Sequence, residues 1–177
     1  MPSVPSLQQL ESLHAGAFGW ALLCCERDRE AAADVLQTSY ARVLSGGAAF
    51  EGRSELRAFL FGVVRRVAQE ERRRDRRDGA RLLELERRRA HAHDADPADA
   101  LDDALHRLER SEEHAQLRAA LDRLPTRQRE VLHLAFYQDM TLREAAAVLG
   151  IRVGSARRHY ERGKAALRER CAHLSTR

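Results

Sequence analysis

The sequence predicts an all-α protein built as two small helical domains joined by a flexible linker, and three observations carry that prediction. Glycine and proline are scarce, 10 and 4 in 177 residues, while Ala, Leu, Glu and Arg abound and no run alternates β-branched with polar residues. Apolar residues recur at helical spacing through most of the chain. Between segments 1–90 and 113–177 lies an acidic tract, 91–112, that includes His91-Ala92-His93-Asp94-Ala95-Asp96-Pro97 and has the composition of a linker. Each flanking segment is long enough for only a modest core.

The first helix is expected over Ser6–Cys25, with Leu7, Leu10, Leu13 or His14, Ala17 and Ala21 on one face and Phe18 and Trp20 as packing residues. The polar cluster Glu26-Arg27-Asp28-Arg29 interrupts it. A second helix follows from about Glu30 to Leu44 on Ala31, Val35, Leu36 and Val43, and Ser45-Gly46-Gly47 ends it. After a loop through Phe50, Glu51, Gly52 and Arg53, Ser54 is placed to cap a third helix carrying Leu56, Leu60, Val63 and Val67. That helix runs on into Glu70-Glu71-Arg72-Arg73-Arg74-Asp75-Arg76-Arg77, which is charged on every side and so must leave the core. A further helical stretch is expected over Arg81–Arg89. Another begins after Pro97 through Leu101, Leu105, Leu108, Leu117, Leu121 and Leu124, and Pro125 suits the first turn of the next helix, which bears Val131, Leu132, Leu134 and Ala135.

The most informative stretch is Leu121–Leu167. Thr141-Leu142-Arg143-Glu144 is a capping box, Leu142, Ala145, Ala146 and Leu149 keep helical spacing, and Gly150 supplies the left-handed residue that stops the helix. Ile151 then plugs the core, and a last helix from about Val153 turns Ala156, Tyr160, Gly163 and Leu167 inward. Ser155, Arg158, His159 and Arg162 fall on its opposite face. A capped helix, a tight glycine turn and a helix with a basic outer face form the layout that places a recognition helix in a DNA major groove. Arg157, Arg158 and Arg162 can hold phosphates or reach guanine edges, and Ser155 and His159 sit where bases or phosphates are met.

Charge distribution agrees with contact to polyanions. The net charge is only +4, yet residues 65–89 hold eleven Arg against six acids, 152–170 seven basic residues against two acids, and 91–113 eight acids against two basic residues. The three cysteines, Cys24, Cys25 and Cys171, form neither a CxxC pair nor a disulfide framework and read as thiols in a helical core or surface. The imidazoles and carboxylates of 91–97 lack further spaced ligands, so a solvated linker is expected there, with neither metal nor cofactor. No Gly-rich phosphate loop, HExxH pair or nucleophile elbow is present, which excludes the familiar catalytic classes. No apolar run is long enough to span a bilayer and Met1–Gln9 lacks a basic start, so a cytoplasmic protein without membrane insertion is expected.

With these residues in view the chain resembles a bacterial RNA polymerase sigma factor of the small extracytoplasmic-function group, which keeps only domains two and four. Leu121-Asp122-Arg123-Leu124-Pro125, Arg129-Glu130-Val131-Leu132 and the helix-turn-helix of Thr141–Leu167 look like region four. Asp34-Val35-Leu36-Gln37-Thr38-Ser39-Tyr40 is similar to the region-two helix that grips the clamp of the polymerase's largest subunit. Phe50 through Leu60 is similar to the loop and helix that read and open the minus-ten element. The resemblance implies polymerase binding by Asp34, Gln37, Thr38 and Tyr40. It also implies minus-ten recognition and melting by Phe50, Arg53, Arg57, Arg65 and Arg66, and upstream-element binding by Arg152, Ser155, Arg157, Arg158, His159 and Arg162.

The implied partners are core RNA polymerase, double-stranded and melted promoter DNA and an anti-sigma factor. Physically, melting asks for a pocket for unstacked bases and positive charge along the backbone. Phe50 and the arginines behind it offer that, although Phe50 fits equally as a plug for the small core. The family often carries Trp where Phe59 stands, Asn where Arg66 stands and a small hydroxyl residue where Arg152 stands. Arg152 cannot cap as Ser or Thr would, a loss on the order of 1 kcal/mol. Ala156 and Tyr160 replace larger or aliphatic residues on the buried row.

Two other functions fit parts of this pattern. A two-component output regulator shares the Glu-Val-Leu and helix-turn-helix pattern but needs a βα receiver upstream. A helical interaction module using the Asp34–Tyr40 face would ignore promoter DNA.

Overall fold

A computed structural model describes residues 4–52, 54–86 and 119–171, of which 78–86 by backbone alone. Arg53, the 91–112 linker and the helix expected after Pro97 as far as residue 118 lie outside the described residues. What is described is helical throughout: α1 Leu7–Ser12, α2 His14–Cys24, α3 Arg29–Leu44, α4 Leu56–Glu86, α5 Thr126–Phe136, α6 Leu142–Leu149 and α7 Val153–Cys171, with a short helical stretch over 119–122.

The expected first helix is divided. Ser6 and Gln9 form a capping box that starts α1, and the Leu13 N–H bonds back to the Leu10 carbonyl at 3.1 Å, closing a tight turn before α2 begins. The break redirects the chain so that Leu10 and Ala17 both reach the core while Leu7 stays 60% exposed. Trp20 is fully buried, as its packing role requires, and Phe18 is half-buried. Glu26 and Arg27 take positive φ, 55° and 73°, in the turn to α3, and Asp28 caps that helix by accepting the Ala31 N–H at 2.9 Å.

Ser54 does not cap α4. The Glu55 carbonyl accepts the Phe59 N–H at 3.0 Å, which puts Glu55 in the cap position. Pro125 is also displaced by one residue from the expected first turn. It stands at the cap of α5, where its carbonyl accepts from Gln128 and Arg129 and its lack of an N–H costs nothing.

α4 is the mast of the molecule. Leu60, Val63 and Val67 are buried as the spacing requires, but so are Phe61, Val64 and Ala68. The apolar stripe is wide because α4 packs against α2 and α3 on one side and against α6 on another. Its charged continuation, Arg73–Arg77, is exposed. In the C-terminal half α5, α6 and α7 pack mutually, and Gly163 lets α7 approach α5 until a Cβ at that position would stand 2.8 Å from Leu132 Cδ1.

The two halves share one core. Val131, Leu134, Met140, Ala145, Val148 and Leu149 pack into the same apolar cluster as the buried residues of α1–α4. Trp20 marks the junction: its indole N–H donates to the Phe61 carbonyl at 3.0 Å, its ring stacks on Phe61, and on its other side it meets His133 of α5 at 5.6 Å between centroids. Gly16 admits Gln138 of the other half so closely that a Cβ there would be 2.8 Å from the Gln138 Oε1.

Candidate nucleic-acid interface

The helix-turn-helix forms as its sequence dictates. The Thr141 N–H and hydroxyl both donate to a Glu144 carboxylate oxygen at 2.7 Å, and the Thr141 hydroxyl accepts the Glu144 N–H at 3.3 Å. These bonds, with a smaller contribution from nearby Arg57, hold the Glu144 carboxyl below the ordinary carboxylate range. Gly150 ends α6 at φ 63° and ψ 37°, a left-handed conformation that glycine takes without a Cβ penalty. The half-buried Ile151 packs against the core after the turn. Arg152 takes the cap of α7, its carbonyl accepting from Ser155 and Ala156 at 2.9 and 3.0 Å, and its side chain is exposed.

From that start α7 buries Ala156 and Gly163 and half-buries Tyr160 and Leu167, the inward row read from the spacing. Phe136 stacks on Tyr160 at 5.8 Å, and the Lys164 ammonium lies over the Tyr160 ring, 4.8 Å from its centroid. The other face presents Arg152, Arg157, Arg158 and Arg162 to solvent, with Ser155 and His159 half-buried among them. Among the described residues none of these four arginines enters an ion pair, so their charge faces outward uncompensated.

The second set of expected DNA residues is less uniform. Phe50, in the loop before α4, meets Phe59 with their ring centroids 5.1 Å apart and the rings tilted by 51°, both half-buried. Arg66 is exposed and its Nε donates to the Gly62 carbonyl of its own helix at 3.3 Å. Arg57 is half-buried beside Glu144. Arg65 departs from the expected row. It is 8% exposed, and its Nε donates to Glu130 Oε1 of α5 at 3.0 Å, so in this arrangement it faces the C-terminal half and not solvent. The reason is positional: Arg65 follows Val63 and Val64 onto the side of α4 that the other half covers.

On α3, Asp34 and Gln37 are exposed and Thr38 and Tyr40 half-buried, with the Tyr40 hydroxyl 3.2 Å from His14 Nδ1. Of these, Asp34 and Thr38 line a cleft between α3 and α4 whose other wall includes Glu71, Arg72 and Asp75. Sequence reading missed a second concavity, a groove of about 650 Å³ where α2 meets α5, lined by Leu22, Leu23, Leu132, Phe136 and Tyr137 with Arg27 at its edge. Its only sequence signal is the exposed pair Phe136-Tyr137 at the end of α5, 58% and 66% exposed.

Comparison with known proteins places this geometry. Residues 114–167 match the family model described as sigma-70, region 4. Over 146 residues the chain is 31% identical to the ECF RNA polymerase sigma factor SigX of Bacillus subtilis (strain 168), covering 81% of this chain and 72% of that protein. The fold is similar to that of the sigma factor RpoE from Bartonella quintana, solved with the anti-sigma factor NepR, at a TM-score of 0.65 and 21% identity over 93% of this chain and 95% of that one. It is also similar to CnrH in complex with the cytosolic domain of CnrY, at a TM-score of 0.60 and 23% identity over 95% and 86% of the respective chains.

Proposed function

The chain belongs to the extracytoplasmic-function RNA polymerase sigma factors, and on that premise we propose how its two halves divide the work. A sigma factor binds core RNA polymerase and promoter DNA and acts in transcription initiation, while the chemistry of RNA synthesis belongs to the polymerase. We assign the segment 1–90 to polymerase binding and melting, 91–112 to a connecting linker, and 113–177 to recognition of the upstream promoter element.

The observation that carries this assignment is the outer face of α7: four solvent-facing arginines on a helix that follows a capped helix and a left-handed glycine. Arg152, Arg157, Arg158 and Arg162 hold phosphates or guanine edges there, with Ser155 and His159 between them. On the N-terminal half, Phe50 with Arg53, Arg57 and Arg66 receives the melted minus-ten strand, and Asp34, Gln37, Thr38 and Tyr40 meet the clamp of the polymerase's largest subunit. The structures of RpoE with NepR and of CnrH with CnrY support a protein inhibitor for this chain as well, and the apolar groove between α2 and α5 offers it a seat. No described helix is long and apolar enough to cross a membrane, and we place the protein in the cytoplasm with the polymerase.

The test is co-purification with core RNA polymerase followed by run-off transcription on genomic fragments. Binding to core and discrete transcripts are expected; failure to bind core overturns the reading. The two-component alternative is not favoured, since α1–α4 occupy the place where a βα receiver would be required. An interaction module without DNA contact predicts core-bound protein that yields no promoter-specific transcript.

A further inference from the structure

The groove where α2 meets α5 holds two aromatics, Phe136 and Tyr137, at 58% and 66% exposure beside Leu22 and Leu132. Contiguous exposed apolar surface of this kind marks a binding face. The lining also carries three arginines, Arg27, Arg29 and Arg129, and no acid among the described residues. Next to it Asp122 pairs with both Arg27, at 2.9 Å, and Arg129, at 3.9 Å, so one carboxylate serves two guanidiniums. The groove therefore suits an occupant that is apolar along one side and acidic along its edge.

The chain itself contains such a segment, outside the described residues. Residues 91–113 hold eight acids against two basic residues. Within them Leu101, Leu105 and Leu108 recur at intervals of four and three, one row on a helix, and Asp96-Pro97 gives that helix a cap and a first turn. At about 100° per residue, Asp102 and Glu109 share one edge beside the leucine row, while Arg107 and Arg110 fall on the opposite side. Ser111 followed by Glu112 and Glu113 is a fresh helix start, which allows a turn between this row and the helix that leads into Leu121. Both connections reach. Leu121 itself lines the groove, 13 residues after Leu108. On the other side Glu26 lies 3.7 Å from Arg72, which sets neighbouring Arg27 level with the middle of α4. Glu86 stands 14 residues beyond Arg72, about 21 Å along a helix, and residues 87–100 can span up to roughly 46 Å.

We propose that residues 98–110 of the same molecule occupy the α2–α5 groove as an amphipathic helix, with Leu101, Leu105 and Leu108 against its apolar lining and Asp102 and Glu109 toward its arginines. Tethering favours this occupant, because a short connection holds it at an effective concentration on the order of millimolar. The basic faces that a second copy would offer, on α7 and at the end of α4, would meet the arginines with like charge. A protein inhibitor seated in this groove then binds by displacing the segment, and its affinity is lowered by the fraction of molecules in which the groove is filled. The contact needs neither DNA nor polymerase, so its test is independent of the promoter reading.

The experiment uses the purified full chain with a photoreactive benzoylphenylalanine in place of the exposed Tyr137, followed by tryptic peptide mapping. Crosslinks within one molecule to residues 98–110 are expected. Leu101→Ser, Leu105→Ser and Leu108→Ser together should lower that yield about ten-fold. Trypsin should cleave after Arg107 and Arg110 about ten-fold faster in this variant than in the parent chain, since cleavage follows the open fraction. Asp102→Lys with Glu109→Lys should lower the yield about three-fold at low salt and less at high salt. Crosslinked dimers would put a second copy in the groove and overturn the proposal. Crosslinks confined to other segments overturn it too, as does a yield that the leucine variant leaves unchanged, because tethering alone then accounts for the proximity. A yield indifferent to Asp102 and Glu109 overturns the match of charge on which the choice of occupant rests. Should the leucine variant not fold, the crosslink map of the parent chain and the Asp102, Glu109 variant decide.

Discussion

Gly163 sets how closely the recognition helix can lie on α5. A methyl group there would meet Leu132 at 2.8 Å, and the resulting overpacking outweighs the helix propensity gained, so Gly163→Ala is expected to destabilise the protein by about 1–3 kcal/mol. Thermal unfolding followed by circular dichroism checks this. Arg158→Ala should lower selectivity for the upstream element in run-off assays, and an equal loss on all sequences would make Arg158 a phosphate clamp alone. The cysteines differ by burial: desolvation pushes the thiol of Cys24 far up, and the Glu130 carboxylate adds to the shift, whereas Cys25 and Cys171 are half-buried. A thiol reagent is therefore expected to label Cys25 and Cys171 in the native protein and Cys24 only on unfolding. The individual roles of Thr141, Glu144 and Gly150 were legible in the sequence because their partners lie within four residues. The partner of Arg65 lies 65 residues away, and no local pattern points to it.

At the level of elements, α6 depends on its first turn. Thr141→Ala removes the hydroxyl that satisfies the Glu144 N–H and is expected to cost about 1 kcal/mol, read as a lower unfolding midpoint in denaturant. It also frees the Glu144 carboxylate from its largest stabilising bond. The exposed end of α4 makes a different prediction: neutralising Arg72, Arg73, Arg74, Arg76 and Arg77 together should weaken DNA binding evenly across sequences and flatten its salt dependence. The Leu60–Val63–Val67 row and the charged end of α4 follow directly from composition. The second buried row, Phe61, Val64 and Ala68, is equally present in the sequence, but its meaning needs the knowledge that α6 packs there, since a wide apolar stripe alone does not name the layer that covers it. The break at Leu13 was hidden because the residues on both sides of it keep helical spacing.

For the whole molecule, His133 links the two halves to pH. Burial against Trp20 and Tyr137 lowers its pKa to about 4, against an ordinary 6.5. A depressed histidine favours the packed state above its unperturbed pKa, so this contribution is fully present above about pH 6.5 and disappears as pH falls toward 4. The loss is at most about 3 kcal/mol, and His133→Phe is expected to flatten the decline in unfolding temperature over that range. The all-α class and the helix-turn-helix were legible from propensity and caps. That both halves draw on one core was not, because the residues that join them, Trp20, Phe61, His133 and Val148, each also read as ordinary interior side chains of their own half.

The position of Trp20 has a practical consequence. It is the chain's one tryptophan, sealed from water between Phe61 and an imidazole of the opposite half. The molecule therefore carries its own optical gauge: emission should be blue-shifted while the halves are joined and should move to longer wavelength, with changed intensity, when the imidazole withdraws and water enters. Stopped-flow mixing of the unlabelled protein with core polymerase would then time the separation directly, and a signal unchanged on mixing would place the junction intact inside the holoenzyme.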